Sequence, residues 1–133
     1  MSEIPLIVVV DDDAAIREAV QSLIQSAGFR AGVFASARDF LQSGHLQDTA
    51  CLIVDVRMPL MSGLELQQQL ATAHCPIPII FITAHSDEET HARALRAGAV
   101  DFLDKPFSLD KPFSDEVLLR AVQVALQSFR GDR

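Results

Sequence analysis

The sequence of 133 residues predicts an α/β fold in which five parallel strands alternate with five helices. Short apolar runs such as residues 6–10 and 50–54 are typical of strands that are buried on both faces of a parallel sheet. Segments with apolar residues at helical spacing lie between these runs. This alternation predicts a single domain, residues 1–133, with helices on both faces of its sheet.

The predicted strands coincide with apolar runs at residues 6–10, 29–34, 50–54, 79–82 and 99–103. The second run contains Gly32 and is weaker, so we expect it at an edge of the sheet. The first and third runs indicate the most buried strands, so we expect them at the centre. This arrangement favours the doubly wound, flavodoxin-like strand order 2-1-3-4-5.

The predicted helices are residues 16–27, 36–41, 62–73, 86–98 and 114–129. Ser62 and Ser86 each precede a glutamate by three positions, which predicts a capping box at the start of the third and fourth helices. Gly28 and Gly98 are predicted to end the first and fourth helices, because glycine adopts the left-handed conformation of a helix C terminus without strain.

The composition argues against several classes of protein. The formal net charge is −7 and no basic stripe is present, so we expect no direct binding of nucleic acid. No apolar run approaches the roughly 20 residues of a membrane span, and the N terminus lacks a signal-peptide pattern, so we expect a cytoplasmic protein without membrane association. Cys51 lies within an apolar run and is expected to be a buried free thiol.

Polar side chains mark the ends of four predicted strands. Asp11 and Asp12 follow the first strand, Asp55 the third, Thr83 the fourth, and Lys105 lies just past the fifth. The carboxyl ends of parallel strands share one edge, where open α/β sheets bind ligands. Three converging carboxylates repel one another unless a divalent cation joins them, and such oxygen ligands suit Mg²⁺. A carboxylate beside Mg²⁺ can attack phosphorus, while a hydroxyl and an ammonium group receive the phosphoryl oxygens.

Each of these residues also has an ordinary structural interpretation. Asp55 is also typical of a turn, Asp12 or Asp13 of a helix cap, Thr83 of a strand and Lys105 of a solvated surface. The occurrence of such groups at four strand ends favours a functional site over four separate coincidences.

The chain resembles the receiver domain of two-component response regulators over about residues 4–129. The motifs that support the resemblance are Val10-Asp11-Asp12, Asp55 with Met58-Pro59 and Ser62-Gly63, Phe81-Ile82-Thr83-Ala84, and Lys105-Pro106-Phe107. Residues 56–59, 83–85 and 98–102 are most similar to FixJ-type regulators, in which a LuxR-type helix-turn-helix domain usually follows the receiver.

The resemblance implies that Asp55 accepts a phosphoryl group from a histidine kinase. It implies Mg²⁺ as the cofactor, bound directly by Asp12 and largely through water by Asp11, with Asp55 and the backbone carbonyl of Arg57 as further ligands. Thr83 and Lys105 would hold the phosphoryl oxygens.

The resemblance also places Phe102 at the position of an aromatic switch that rotates inward after Thr83 moves. A packed aromatic residue on an edge strand is the alternative interpretation. The family further implies a cis peptide bond between Lys105 and Pro106, and possible homodimer formation on activation through the face of helix 4, strand 5 and helix 5.

Residues 103–108 and 109–114 have the same sequence, Leu-Asp-Lys-Pro-Phe-Ser. Lys105 in the first copy is predicted to serve the site, because it keeps the fifth strand in place and lies 22 residues after Thr83, as in the family. Lys111 is then expected to be solvated in a longer loop before the fifth helix.

The main functional hypothesis is a phosphorylation-controlled switch that acts on transcription through an output domain absent from this chain. Such a domain is no ordinary enzyme, since it catalyses only its own phosphorylation and dephosphorylation. One alternative is a stand-alone receiver that docks onto a partner protein. Another is a Mg²⁺-dependent phosphohydrolase that uses Asp11 and Asp13, which would leave Asp55 without a role.

Overall fold

The computed structural model describes residues 4–84, 87–104 and 113–131, along which five strands and five helices alternate. The strands are β1 Leu6–Val10, β2 Arg30–Phe34, β3 Thr49–Asp55, β4 Ile79–Thr83 and β5 Asp101–Asp104. The helices are α1 Ala14–Ser26, α2 Ala37–Leu41, α3 Gly63–Thr72, α4 Glu88–Arg96 and α5 Phe113–Gly131. The strands pair in parallel in the order β2-β1-β3-β4-β5, which confirms the predicted fold.

The hydrophobic core has two layers, one on each face of the sheet, because successive residues of a strand point to opposite faces. In β1, Val8 and Val10 belong to one layer, whereas Ile7 and Val9 belong to the other. Residues of α2, α3 and α4 complete the first layer, and residues of α1 and α5 complete the second. Every residue of β3 is buried, which confirms its predicted central position.

Cys51 lies on β3 and is a fully buried free thiol, as predicted. Burial raises the pKa of this thiol to about 12. The thiol therefore stays protonated at neutral pH and serves as an apolar core group.

Hydrogen bonds at the helix N termini confirm one of the two predicted capping boxes. The N–H of Glu65 donates to Ser62 Oγ at 3.1 Å, and the N–H of Ser62 donates to the Glu65 carboxylate at 2.8 Å. The second prediction is wrong, because Asp87 rather than Ser86 is the N-cap of α4. The Asp87 carboxylate accepts two backbone hydrogen bonds from the first turn and its charge complements the helix dipole.

The strand β5 begins at Asp101, two residues later than predicted. The N–H of Ala99 still donates to the carbonyl of Ala94, so Ala99 completes the last turn of α4. Gly98 has φ of +103°, which confirms that it ends this helix. No helix within the described ranges has both the length and the apolar composition needed to cross a membrane.

Candidate functional site

Three carboxylates converge at the carboxyl edge of the sheet. Asp11 and Asp12 directly follow β1, and Asp55 is the last residue of the neighbouring β3. One carboxylate oxygen from each residue lies within 4.8 Å of the other two. The structure therefore brings together the acidic residues that the sequence assigned to this edge.

Two of these carboxylates are buried, since Asp11 is 0% and Asp55 is 4% exposed, whereas Asp12 is exposed. Asp11 Oδ1 accepts a hydrogen bond of 2.9 Å from the N–H of Asp13, and Asp55 Oδ1 accepts one of 3.1 Å from the N–H of Arg57. Close carboxylates repel one another strongly where water is excluded. Hard oxygen donors of this number fit Mg²⁺, so the described residues are suited to that ion.

The turn between β1 and α1 is fixed from the helix side. Asp13 caps α1, because its carboxylate accepts a hydrogen bond of 2.9 Å from the N–H of Ala15. Arg17 Nη1 donates a hydrogen bond of 2.8 Å to the main-chain oxygen of Asp11. Sequence analysis did not identify Arg17. Its position in the first turn of α1, directly after the acidic triplet Asp11-Asp12-Asp13, is the one feature of the sequence that points to it. Because Asp13 is the N-cap of α1, the Asp12 carboxylate remains at the carboxyl edge of the sheet, beside Asp11 and Asp55.

The backbone after Asp55 packs closely against the start of α3. The N–H of Gly63 donates to the carbonyl of Val56 at 2.9 Å. A Cβ atom at residue 63 would lie 2.5 Å from the main-chain oxygen of Asp55 and 3.1 Å from Val56 Cα. Only glycine permits this approach without a backbone shift. Gly63 therefore helps to set the position of Asp55.

Leu60, in the loop between β3 and α3, has an unusual backbone conformation. Its φ is +71°, in the left-handed region that disfavours residues with a Cβ atom. Its side chain is 96% exposed, so packing of that side chain does not compensate the strain. Strained residues of this kind cluster at functional sites, and this loop begins directly after Asp55.

Thr83 ends β4, the strand next to β3, and is 1% exposed. Asp55 pairs with Ile82, so Thr83 lies one residue beyond the level of Asp55 at the same edge. Lys105 directly follows β5 in the sequence. Lys105, Lys111 and the predicted cis peptide bond at Pro106 lie outside the described residues.

Phe102 lies on β5 and is 7% exposed. Its ring is stacked on the imidazole of His91 from α4, with 4.7 Å between ring centroids and 9° between planes. The Phe81 ring lies 6.1 Å away in a tilted arrangement. Phe102 thus packs against rings from both α4 and β4. His91 is a neighbour that sequence analysis missed, because nothing in the pattern of α4 predicts a stack across to β5.

The doubly wound sheet with strand order 2-1-3-4-5 defines the flavodoxin-like class of α/β proteins, and the carboxylates lie at its switch point between β1 and β3. The model of one family in this class, described as response regulator receiver domain, matches residues 7–123, and the chain belongs to that family.

Individual relatives agree with this assignment. The chain is 44% identical over 128 residues to Nodulation protein W of Bradyrhizobium diazoefficiens, which covers 96% of this chain and 54% of that protein. It is 41% identical over 105 residues to Transcriptional regulatory protein FixJ of the same organism, covering 79% and 51% respectively. The structure of response regulator StyR is similar with a TM-score of 0.86 and 43% identity, over 98% of this chain and 63% of that one.

These comparisons confirm the resemblance to receiver domains, with FixJ-type regulators among the relatives. The chain spans about half the length of the curated relatives it matches.

Proposed function

We propose that this receiver domain accepts a phosphoryl group on Asp55 from a histidine kinase and thereby switches the surface formed by α4, β5 and α5. The observation that supports this proposal best is the convergence of three carboxylates, two of them buried, within 4.8 Å at the ends of β1 and β3. A site built only to stabilise the fold gains nothing from this mutual repulsion.

In the proposed reaction, an Asp55 carboxylate oxygen attacks the phosphorus of a phosphohistidine. The new oxygen–phosphorus bond forms as the nitrogen–phosphorus bond breaks. The electron pair of the broken bond returns to the imidazole nitrogen of the kinase. The N–H of Arg57 orients the nucleophile through its hydrogen bond to Oδ1. The Thr83 hydroxyl donates to one phosphoryl oxygen and the Lys105 ammonium group donates to another.

The metal ligands in this proposal are Asp11, Asp12, Asp55 and the backbone carbonyl of Arg57. Asp12 would hold the ion directly and Asp11 largely through water, in keeping with the preference of Mg²⁺ for a shell that retains several waters. When bound, Mg²⁺ supplies the positive charge that offsets the carboxylates and the incoming phosphoryl oxygens. The domain acts once on itself and loses the group by its own hydrolysis, so it is a switch and no ordinary enzyme.

In this proposal a separate region carries the output of the whole protein, since the chain spans about half the length of its curated relatives. The printed name of the relative FixJ, a transcriptional regulatory protein, supports control of transcription through a separate DNA-binding domain. The net charge of −7 supports the proposal that the receiver itself does not bind nucleic acid. A stand-alone receiver that docks onto a partner is the alternative, and the full reading frame of the gene distinguishes the two.

The test is phosphorylation by acetyl phosphate, or occupation by beryllofluoride, in the presence of Mg²⁺. Wild-type protein should take up one group per chain, and Asp55→Asn should take up none. Addition of EDTA should block the reaction, because phosphorylation adds about −1.5 to −2 charges beside Asp11 and Asp12. Full labelling of the Asp55→Asn variant would contradict the proposal.

The proposed output surface has its own test. Activated protein should self-associate through α4, β5 and α5 more strongly than unmodified protein, as measured by analytical ultracentrifugation. Identical sedimentation with and without beryllofluoride would contradict homodimer formation while leaving the assignment of Asp55 intact.

A further inference from the structure

The helix α4 has few apolar anchors to the rest of the domain. Among its residues, all of which the structure describes, Ala94 is the one that is fully buried. Gln67 of α3 donates a hydrogen bond of 3.3 Å from Nε2 to the carbonyl of Ala94. A helix with so little buried apolar surface gains little free energy from packing, so individual side-chain contacts decide its position.

The stack of His91 on Phe102 is the ring contact between α4 and β5. Phe102 is almost completely buried, and the half-buried imidazole covers one face of its ring at 4.7 Å. Phe102 and Ala94 belong to the same core layer, so the ring and the helix anchor are parts of one packed cluster. The backbone N–H of His91 donates the ordinary helical hydrogen bond to the carbonyl of the N-cap Asp87, so His91 belongs to the first turn of the helix.

We propose that His91 is a positioning residue that forms a lid on Phe102 and couples the orientation of this ring to the position of α4. The ring of Phe102 cannot change its orientation without moving the imidazole that lies flat against it, because the two faces are in contact. Rotation of Phe102 therefore displaces His91, and because His91 is part of the hydrogen-bonded first turn of α4, the helix moves with it. This inference rests on the proposed function, since it explains how phosphorylation of Asp55 is reported at α4.

The test is hydrogen–deuterium exchange of the α4 amides in the full chain, with and without beryllofluoride and Mg²⁺. His91→Ala removes the lid, and His91→Phe restores an aromatic ring without the imidazole nitrogens. Arg93→Ala is the matched control, because Arg93 is an exposed residue of the same helix.

Without beryllofluoride, α4 in His91→Ala should exchange about 2- to 12-fold faster than in wild type, the factor expected for loss of one aromatic pair. Alanine has the higher intrinsic helix propensity, so a propensity effect alone would slow the exchange. His91→Phe should match wild type, and Arg93→Ala should show no acceleration.

Addition of beryllofluoride should change the exchange rate of the peptide that contains Thr83 both in wild type and in His91→Ala. The exchange rate of α4 should change in wild type and in His91→Phe, but not in His91→Ala. If beryllofluoride changes the exchange rate of α4 in His91→Ala as much as in wild type, the proposed positioning role of His91 is wrong. A wild-type protein that fails to respond at Thr83 would instead overturn the proposed function, so the two failures are distinct.

Discussion

The guanidinium of Arg17 donates a hydrogen bond of 2.8 Å to the main-chain oxygen of Asp11, and so ties α1 to the carboxylate edge of the sheet. Because Arg17 contacts the backbone of Asp11 and not its carboxylate, it holds the turn between β1 and α1. The conformation of that turn then sets the direction of the Asp11 and Asp12 side chains. A helix residue therefore fixes the conformation in which the acidic triplet is presented.

Replacement of Arg17 should weaken Mg²⁺ binding without abolishing the fold. We expect Arg17→Gln to reduce Mg²⁺ affinity by about 10-fold, the lower end of the range for residues that orient metal ligands. NMR titration with Mg²⁺ measures this. Arg38→Gln, at an exposed position on α2, is the control for the change in net charge. Equal losses in both variants would mean that charge, rather than the hydrogen bond to Asp11, is the cause.

Replacement of Gly63 should destabilise the protein and disturb Asp55 together. In Gly63→Ala the added Cβ lies 2.5 Å from the main-chain oxygen of Asp55, so the backbone must move. We expect a loss of about 1–3 kcal/mol in the free energy of unfolding, typical of overpacking, and weaker beryllofluoride binding. Gly32→Ala is the control, since its Cβ would meet side chains at an ordinary 3.7 Å. Urea denaturation of the two variants gives the comparison.

Relief of the strain at Leu60 should stabilise the protein. A left-handed conformation costs a residue with a Cβ atom roughly 1–2 kcal/mol, and asparagine tolerates it better through local hydrogen bonds. Leu60→Asn should therefore raise the free energy of unfolding by about 0.5–1 kcal/mol. Leu60→Ala keeps the strain and should change stability little. A stabilisation by alanine as large as that by asparagine would show that exposure of the leucine, and not its backbone conformation, is the cost.

Cys51 should react with alkylating reagents only when the protein unfolds. Because burial raises the pKa of its thiol to about 12, about one molecule in 10,000 carries the reactive thiolate at pH 8, and the fold shields even that fraction. Burial raises the pKa of the Cys75 thiol too, but Cys75 is only half-buried. Iodoacetamide followed by mass spectrometry should modify Cys75 first. Rapid native-state modification of Cys51 would contradict its burial.

The two lysines of the repeated segment should differ in function. Lys105→Ala should abolish the response to beryllofluoride, because the proposed site loses its only assigned ammonium group. Lys111→Ala should leave the response nearly intact. The two variants remove the same charge from the same repeated motif, so each is the control for the other. The reverse pattern would assign the site to the second copy.

The sequence predicted the strands and the acidic edge because these depend on local patterns. An apolar run that ends at Asp55 predicts a buried strand and the location of its carboxylate in one step. The N-cap of α4 was predicted one residue too early, since Ser86 and Asp87 are both good caps and only the path of the chain selects between them.

Contacts between distant elements could not be predicted in this way. The stack of His91 on Phe102 and the hydrogen bond from Gln67 to Ala94 depend on how α4 lies against its neighbours. Neither has a periodic signature in the sequence, because each joins single residues from elements that only the tertiary fold brings together. The close approach of Gly63 to Asp55 could not be predicted either. A glycine at the start of a helix has the same sequence pattern whether or not another backbone segment packs against it.

The strand order has a consequence for how such a chain can change during evolution. The acidic residues and Thr83 lie at the carboxyl ends of β1, β3 and β4, the three inner strands, while β5 lies at one border of the sheet. Changes in chain length after a border strand leave the pairing of the inner strands untouched. The duplicated segment of residues 103–114 begins within β5, away from the strand ends that carry the carboxylates, although Lys105 lies in its first copy. A change in the length of this segment therefore alters the side of the domain formed by β5 and α5, while the paired strands that present Asp55 keep their register.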